Sequence, residues 1–189
     1  MSTERRLPVR LTAERSVLVV VDLQERFRDL IDGMDQVLER SLRLIAFSRQ
    51  LGIPVLVTEQ YPRGLGVTVT EIRDAVRPFT ASEKTTFSCC GSDAFNEALQ
   101  GMGRNQVILC GIETHVCIYQ TACDLLRSGR QVAIAADAVS SCEAVNRELG
   151  LQRLRDVGCD IMGTQMIMFE ILGEAGTPAF KQVATLLKD

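Results

Sequence analysis

A thiol, a carboxylate and an ammonium stand at or near the ends of three extended runs: Cys117, Asp22 and Lys84. The apolar run 107–110 is too short for a helix and reads as a buried strand. It ends at Gly111, and Thr114 then offers a hydroxyl able to cap a helix whose first turn holds Cys117. Backbone N–H groups and the helix dipole favour negative charge there, which predicts a thiol depressed toward the reactive thiolate. The same N–H groups suit a developing oxyanion. A nucleophilic cysteine also needs a group that takes its proton and later protonates the leaving group. Asp22, directly after the run 17–21, suits that task, and Lys84, in a weaker stretch at 83–85, supplies a balancing cation. Position alone also allows a turn-capping Asp22, a surface Lys84 and a Cys117 that is only a small buried hydrophobe.

The elements that would bring these residues together follow from hydrophobic patterning. Extended runs at 17–21, 55–57, 83–85, 107–110, 132–135 and 160–162 alternate with helical periodicity at 34–51, 93–99, 114–126, 144–157 and 178–187. Strands that are continuously apolar and separated by helices predict an α/β fold, a parallel sheet covered on both faces. Such a sheet opens its crevice beyond the carboxyl ends of its strands, where Asp22, Lys84 and Cys117 can meet. The stretch 164–172 is apolar almost all round, which predicts burial in the core or against another chain.

Composition narrows the function classes. The 189 residues fit one domain, 1–189, with residues 1–15 as an N-terminal extension that lacks the apolar core of a signal peptide. A formal net charge of −3 gives no basic footprint for nucleic acid and no polybasic membrane patch. No apolar run is long enough to span a bilayer, so a cytoplasmic protein acting on a small molecule is expected. Seven cysteines, an odd number in largely apolar contexts, predict reduced thiols. The vicinal pair Cys89–Cys90 is read as packing rather than redox chemistry. With His115 as the single histidine and no phosphate-cradling glycine motif, neither metal nor cofactor is expected.

Three motifs, Val19-Val20-Val21-Asp22-Leu23-Gln24, Glu83-Lys84-Thr85-Thr86-Phe87 and Gly111-Ile112-Glu113-Thr114-His115-Val116-Cys117, occur in this order along the chain. Together they resemble the isochorismatase-like cysteine hydrolases, which include nicotinamidases, N-carbamoylsarcosine amidases and isochorismatases. The resemblance implies a three-layer, doubly wound, Rossmann-like fold with a six-stranded parallel sheet, and a homo-oligomer. It further implies a catalytic triad of Asp22, Lys84 and Cys117. A cis peptide at Ile112–Glu113 is implied as well, with the N–H groups of Glu113 and Cys117 as oxyanion donors.

Departures from the wider pattern narrow the branch. The chain lacks the histidines of a nicotinamidase metal site, and Cys117 leans away from the vinyl-ether isochorismatases, which do not require it. The stretch 58–66 looks most like the isochorismatase domain-containing proteins. The leading expectation is a metal-independent hydrolase of a small amide, ureido or related acyl substrate. Vinyl-ether hydrolysis, a catalytically idle oligomeric binding protein and a thiol redox protein are the competing readings. Gln24, Phe27, Tyr61, Arg63, Phe87 and His115 are candidate substrate contacts. A core role competes for Phe27 and Phe87, and a subunit contact for Arg63 and His115.

Overall fold

The computed structural model describes residues 10–187. Residues 1–9 of the expected extension lie outside the described residues. Farther along it, Leu11 is buried and its N–H donates to Glu170 Oε1 at 2.9 Å.

Six parallel strands form one sheet: β1 (Ser16–Val21), β2 (Val55–Gln60), β3 (Ala81–Lys84), β4 (Gln106–Ile112), β5 (Gln131–Ser140) and β6 (Asp160–Met162). Their order is β3-β2-β1-β4-β5-β6. The helices are α1 (Met34–Gln50), α2 (Pro62–Leu65), α3 (Thr70–Ala75), α4 (Asp93–Gly101), α5 (Tyr119–Arg127), α6 (Ala144–Asp156), α7 (Thr164–Leu172) and α8 (Pro178–Val183).

Successive side chains of a strand point to opposite faces, and both faces here must be apolar. In β1, Leu18 and Val20 pack with α1, α3, α7 and α8. Val17, Val19 and Val21 pack with α4, α5 and α6 on the other side. Chain order reverses between the central strands β1 and β4, so their carboxyl ends flank the ligand crevice of a doubly wound sheet. Gly111 makes this approach possible. Its φ is 109°, and a Cβ there would stand 2.1 Å from the Val21 carbonyl oxygen.

The helix 164–172 is only partly enclosed. Ile167 and Met168 are buried in the core, whereas Met166 and Phe169 face outward. Among the described residues, no helix is long and apolar enough to cross a membrane.

Candidate active site

Strand register brings the reactive groups together. Val21 pairs with Thr58, and Gln60 pairs with Lys84, so the ends of β1, β2 and β3 lie side by side. Asp22 leaves β1 in a left-handed conformation, φ 53°, which is uncommon for any residue but glycine. Its Oδ1 accepts from Thr58 Oγ1 at 2.7 Å, and its Oδ2 meets Lys84 Nζ at 2.6 Å. Lys84 Nζ also donates to Gln60 Oε1 at 2.6 Å, to the Phe87 and Thr86 carbonyls at 3.2 and 3.4 Å, and to Cys117 Sγ at 3.7 Å. The Asp22 and Lys84 side chains are 2% and 0% exposed, so this ion pair is out of solvent.

Electrostatics revise the expected state of the thiol. Burial, and then the Asp22 carboxylate, push the Cys117 thiol up to about 12, against the pull of Lys84. The depressed thiol expected from a helix start is not what this environment produces. The helix start differs too: Thr114–Ile118 form a π-helical turn that leads into α5. Thr114 does not cap it. Its hydroxyl is buried and donates to the Ser140 carbonyl at 3.0 Å. Burial also works to lower the Lys84 ammonium, but Asp22, then Cys89 and Cys117, outweigh it and leave it above its ordinary value.

Three consecutive residues before the thiol are tied to the end of β5. The Cys142 N–H donates to Glu113 Oε2 at 2.8 Å, Thr114 reaches Ser140, and His115 Nδ1 is 3.0 Å from Ser141 Oγ. Behind them, a Cβ on Gly150 of α6 would lie 2.9 Å from the His115 nitrogen, so the helix backs directly onto the turn. The Ile112–Glu113 peptide is cis.

Cys117 opens into a cavity of about 110 Å³ lined by Asp22, Phe27, Gln60, Leu65, Phe87, Ile112, Glu113 and Val116. Phe27 and Phe87 therefore line the space in front of the thiol. Gln24 does not line this cavity: its amide is spent on the Gln60 backbone and the Gly66 carbonyl. Tyr61 and Arg63 line a second cavity, of about 390 Å³, which Lys84 also borders. His115 turns toward Ser141 instead. Thr58 and Gln60, which hold Asp22 and Lys84, escaped assignment from the sequence. Their signal was the two-residue spacing from Leu56, which puts 56, 58 and 60 on one face of β2. Cys89 is buried beside Thr58, its Sγ 3.8 Å from the hydroxyl, and burial pushes it up to about 12. Among the described residues, no three His, Cys, Asp or Glu side chains are gathered as metal ligands would be.

A doubly wound parallel sheet with a buried Asp–Lys pair and a thiol at its switch point defines the class, an α/β protein with a candidate thiol site. The isochorismatase domain matches residues 16–166, and the chain belongs to the isochorismatase family. It is 42% identical over 180 residues to isochorismatase domain-containing protein 2 of Danio rerio, covering 94% of this chain and 89% of that one. It is 38% identical over 187 residues to the secreted isochorismatase effector Isc1 of Phytophthora sojae, covering 95% and 88%. The solved structure of MAR1 ribonuclease from Caenorhabditis elegans superposes with a TM-score of 0.87 at 35% identity, covering 95% and 92%.

Proposed function

We propose that this protein is a cysteine hydrolase that cleaves a small amide, ureido or related acyl substrate without a metal. The observation that carries the proposal is the buried Asp22–Lys84 pair whose ammonium also reaches Cys117 Sγ, beside a cavity. With the thiol protonated at rest, Asp22 takes its proton as the sulfur attacks the substrate carbonyl. The N–H groups of Glu113 and Cys117 receive the oxyanion, and Asp22 returns the proton to the departing amine. Asp22 then draws a proton from the water that attacks the thioester, and passes it to the departing Cys117 sulfur as the C–S bond breaks. Lys84, 2.6 Å from Asp22 Oδ2, holds that carboxyl group in place.

Incubating the protein with a panel of small amides and carbamoyl compounds tests this reading. Wild type should release ammonia and carry an acyl adduct on Cys117 by intact mass, and Cys117→Ala should do neither. Turnover that survives in Cys117→Ala would sink the covalent mechanism.

A ribonuclease reading is favoured by the similarity to the MAR1 ribonuclease of Caenorhabditis elegans. A net charge of −3 and a reactive cavity of about 110 Å³ weigh against it, because RNA binding draws on a basic surface. Incubation with single-stranded RNA, read by gel, separates the two. We also assign the protein to the cytoplasm and to a homo-oligomer, with the outward Met166 and Phe169 of α7 covered by a second copy. Light scattering on Phe169→Glu tests that assembly.

A further inference from the structure

The walls around Cys117 hold more information than its presence alone. Five of the lining side chains, Phe27, Leu65, Phe87, Ile112 and Val116, are apolar. Each polar side chain among the rest has its partners within the protein. Gln60 accepts from Lys84 and donates through Nε2 to the Thr85 carbonyl at 2.9 Å. Glu113 accepts from the Cys142 N–H, and Asp22 is shared between Thr58 and Lys84. No arginine, lysine or histidine is among the lining residues. The Lys84 ammonium behind them is occupied by Asp22, Gln60 and two carbonyls.

From this lining we infer that the site takes a neutral, apolar acyl group and rejects substrates that carry a carboxylate. The inference rests on the hydrolase reading and adds a substrate class to it. A carboxylate drawn into this cavity would leave water, find the nearby Lys84 ammonium already engaged and face Asp22 and Glu113. A cationic group fares little better. It too would be stripped of water by apolar walls, with Asp22 already neutralised by Lys84 and Glu113 committed to Cys142. Volume sets the size, since an apolar cavity of about 150 Å³ accepts benzene. The roughly 110 Å³ here suits an acyl group of about four or five heavy atoms, the remainder of the substrate facing outward. In the acylation step, R–CO–NH₂ and the Cys117 thiol give a thioester and ammonia. The C–N bond breaks, the C–S bond forms, and the thiol proton leaves on the nitrogen through Asp22.

Two measurements on the wild-type protein test the class. Turnover is compared for butyramide, for succinamate, which replaces its methyl by a carboxylate, and for 4-aminobutanamide. Butyramide should exceed both charged analogues in kcat/KM by about tenfold or more. Alkylation of Cys117 at pH 9 is then compared for iodoacetamide and iodoacetate, with each rate divided by that for 2-mercaptoethanol. The neutral reagent should be preferred by a similar factor. Succinamate turned over as well as butyramide, or iodoacetate labelling as readily as iodoacetamide, overturns the inference. Hydrolysis of no amide together with preferred iodoacetamide labelling overturns the hydrolase reading and leaves the neutral cavity standing. Phe87→Ala, at a half-exposed position the fold tolerates, should move the preference toward hexanamide by severalfold, and an unchanged chain-length preference would remove Phe87 from the specificity wall.

Discussion

Lys84 lines one cavity and holds the ionisable groups of another of opposite character. The larger, about 390 Å³, is an open depression at the β3 edge, with Tyr61, Arg63 and Glu83 on its walls. The smaller, about 110 Å³, holds Asp22 and Cys117 among apolar side chains, and the Lys84 ammonium reaches both. Volume and surface charge single out the first. Buried, paired ionisable groups around a thiol single out the second, where the proposed proton transfer would be controlled. The difference teaches that one lysine can be a wall residue on one side and an electrostatic partner on the other.

The sharpest way to break this division is to remove the thiol. On the proposed mechanism, Cys117→Ala should lower amide turnover by roughly 10⁴-fold or more, as losing a nucleophile does in covalent hydrolases. Ammonia release under saturating substrate measures it. A residual rate within tenfold of wild type would shift the chemistry away from the small cavity.

The raised thiol gives the next largest effect. A folded-state value of about 12 means that Cys117 stays protonated at pH 8, where an ordinary thiol near 9.0 is partly ionised. Labelling of the free protein by iodoacetamide at pH 8 should therefore run roughly a hundredfold or more below a small thiol, and climb as pH rises toward 12. Asp22→Asn removes a charge that raises the thiol, so the labelling profile should move to lower pH while turnover collapses. Labelling and turnover that fell together would contradict the assignment of Asp22 as proton acceptor. The buried pair can also be broken from its other end. Lys84→Met leaves Asp22 enclosed without a cation and should cost about 3–5 kcal/mol in denaturant unfolding. The double variant Asp22→Asn, Lys84→Met should recover part of that loss, and no recovery would mean the two groups act independently.

These predictions concern residues whose types and places were largely legible in the sequence. Runs such as 17–21 and 107–110 marked strands buried on both faces, and the motif residues fell at their carboxyl ends. What patterning missed was polar and buried at once. Strand β2 extends to Gln60 because Thr58 bonds Asp22, Glu59 bonds Thr68 and Gln60 bonds Lys84. Strand β5 runs on from 135 to Ser140, whose carbonyl then receives Thr114. Partners distant in sequence stabilise both extensions, and no local pattern records them. The same reason explains Thr114, whose hydroxyl finds a carbonyl of the neighbouring strand in place of its own helix, and Cys117, whose ionisation is governed by enclosure.

The ties from Glu113, Thr114 and His115 to the end of β5 predict a smaller, positional effect. Thr114→Val removes the hydroxyl that holds the turn to Ser140 and should lower kcat about tenfold with KM little changed. Thr114→Ser, which keeps the hydroxyl, should restore most of it. A rise in KM with kcat intact would make Thr114 a substrate contact and not a positioning residue.

The smallest expected effect bears most directly on the two cavities. Arg63 lies on the wall of the larger one and is absent from the wall around Cys117. If the cavities are functionally separate for small substrates, nothing that Arg63 does reaches the Asp22–Lys84 pair, whose polar atoms are all engaged by Thr58, Gln60 and backbone carbonyls. Arg63→Ala should then leave kcat/KM for a small neutral amide within about twofold, the range of surface substitutions away from a site. The same variant assayed with a bulky N-substituted amide probes the outward part of the substrate, which a larger leaving group would occupy. A loss confined to that substrate would make the larger cavity the seat of the leaving group. A tenfold loss with the small amide would join the two cavities into one site and end the comparison.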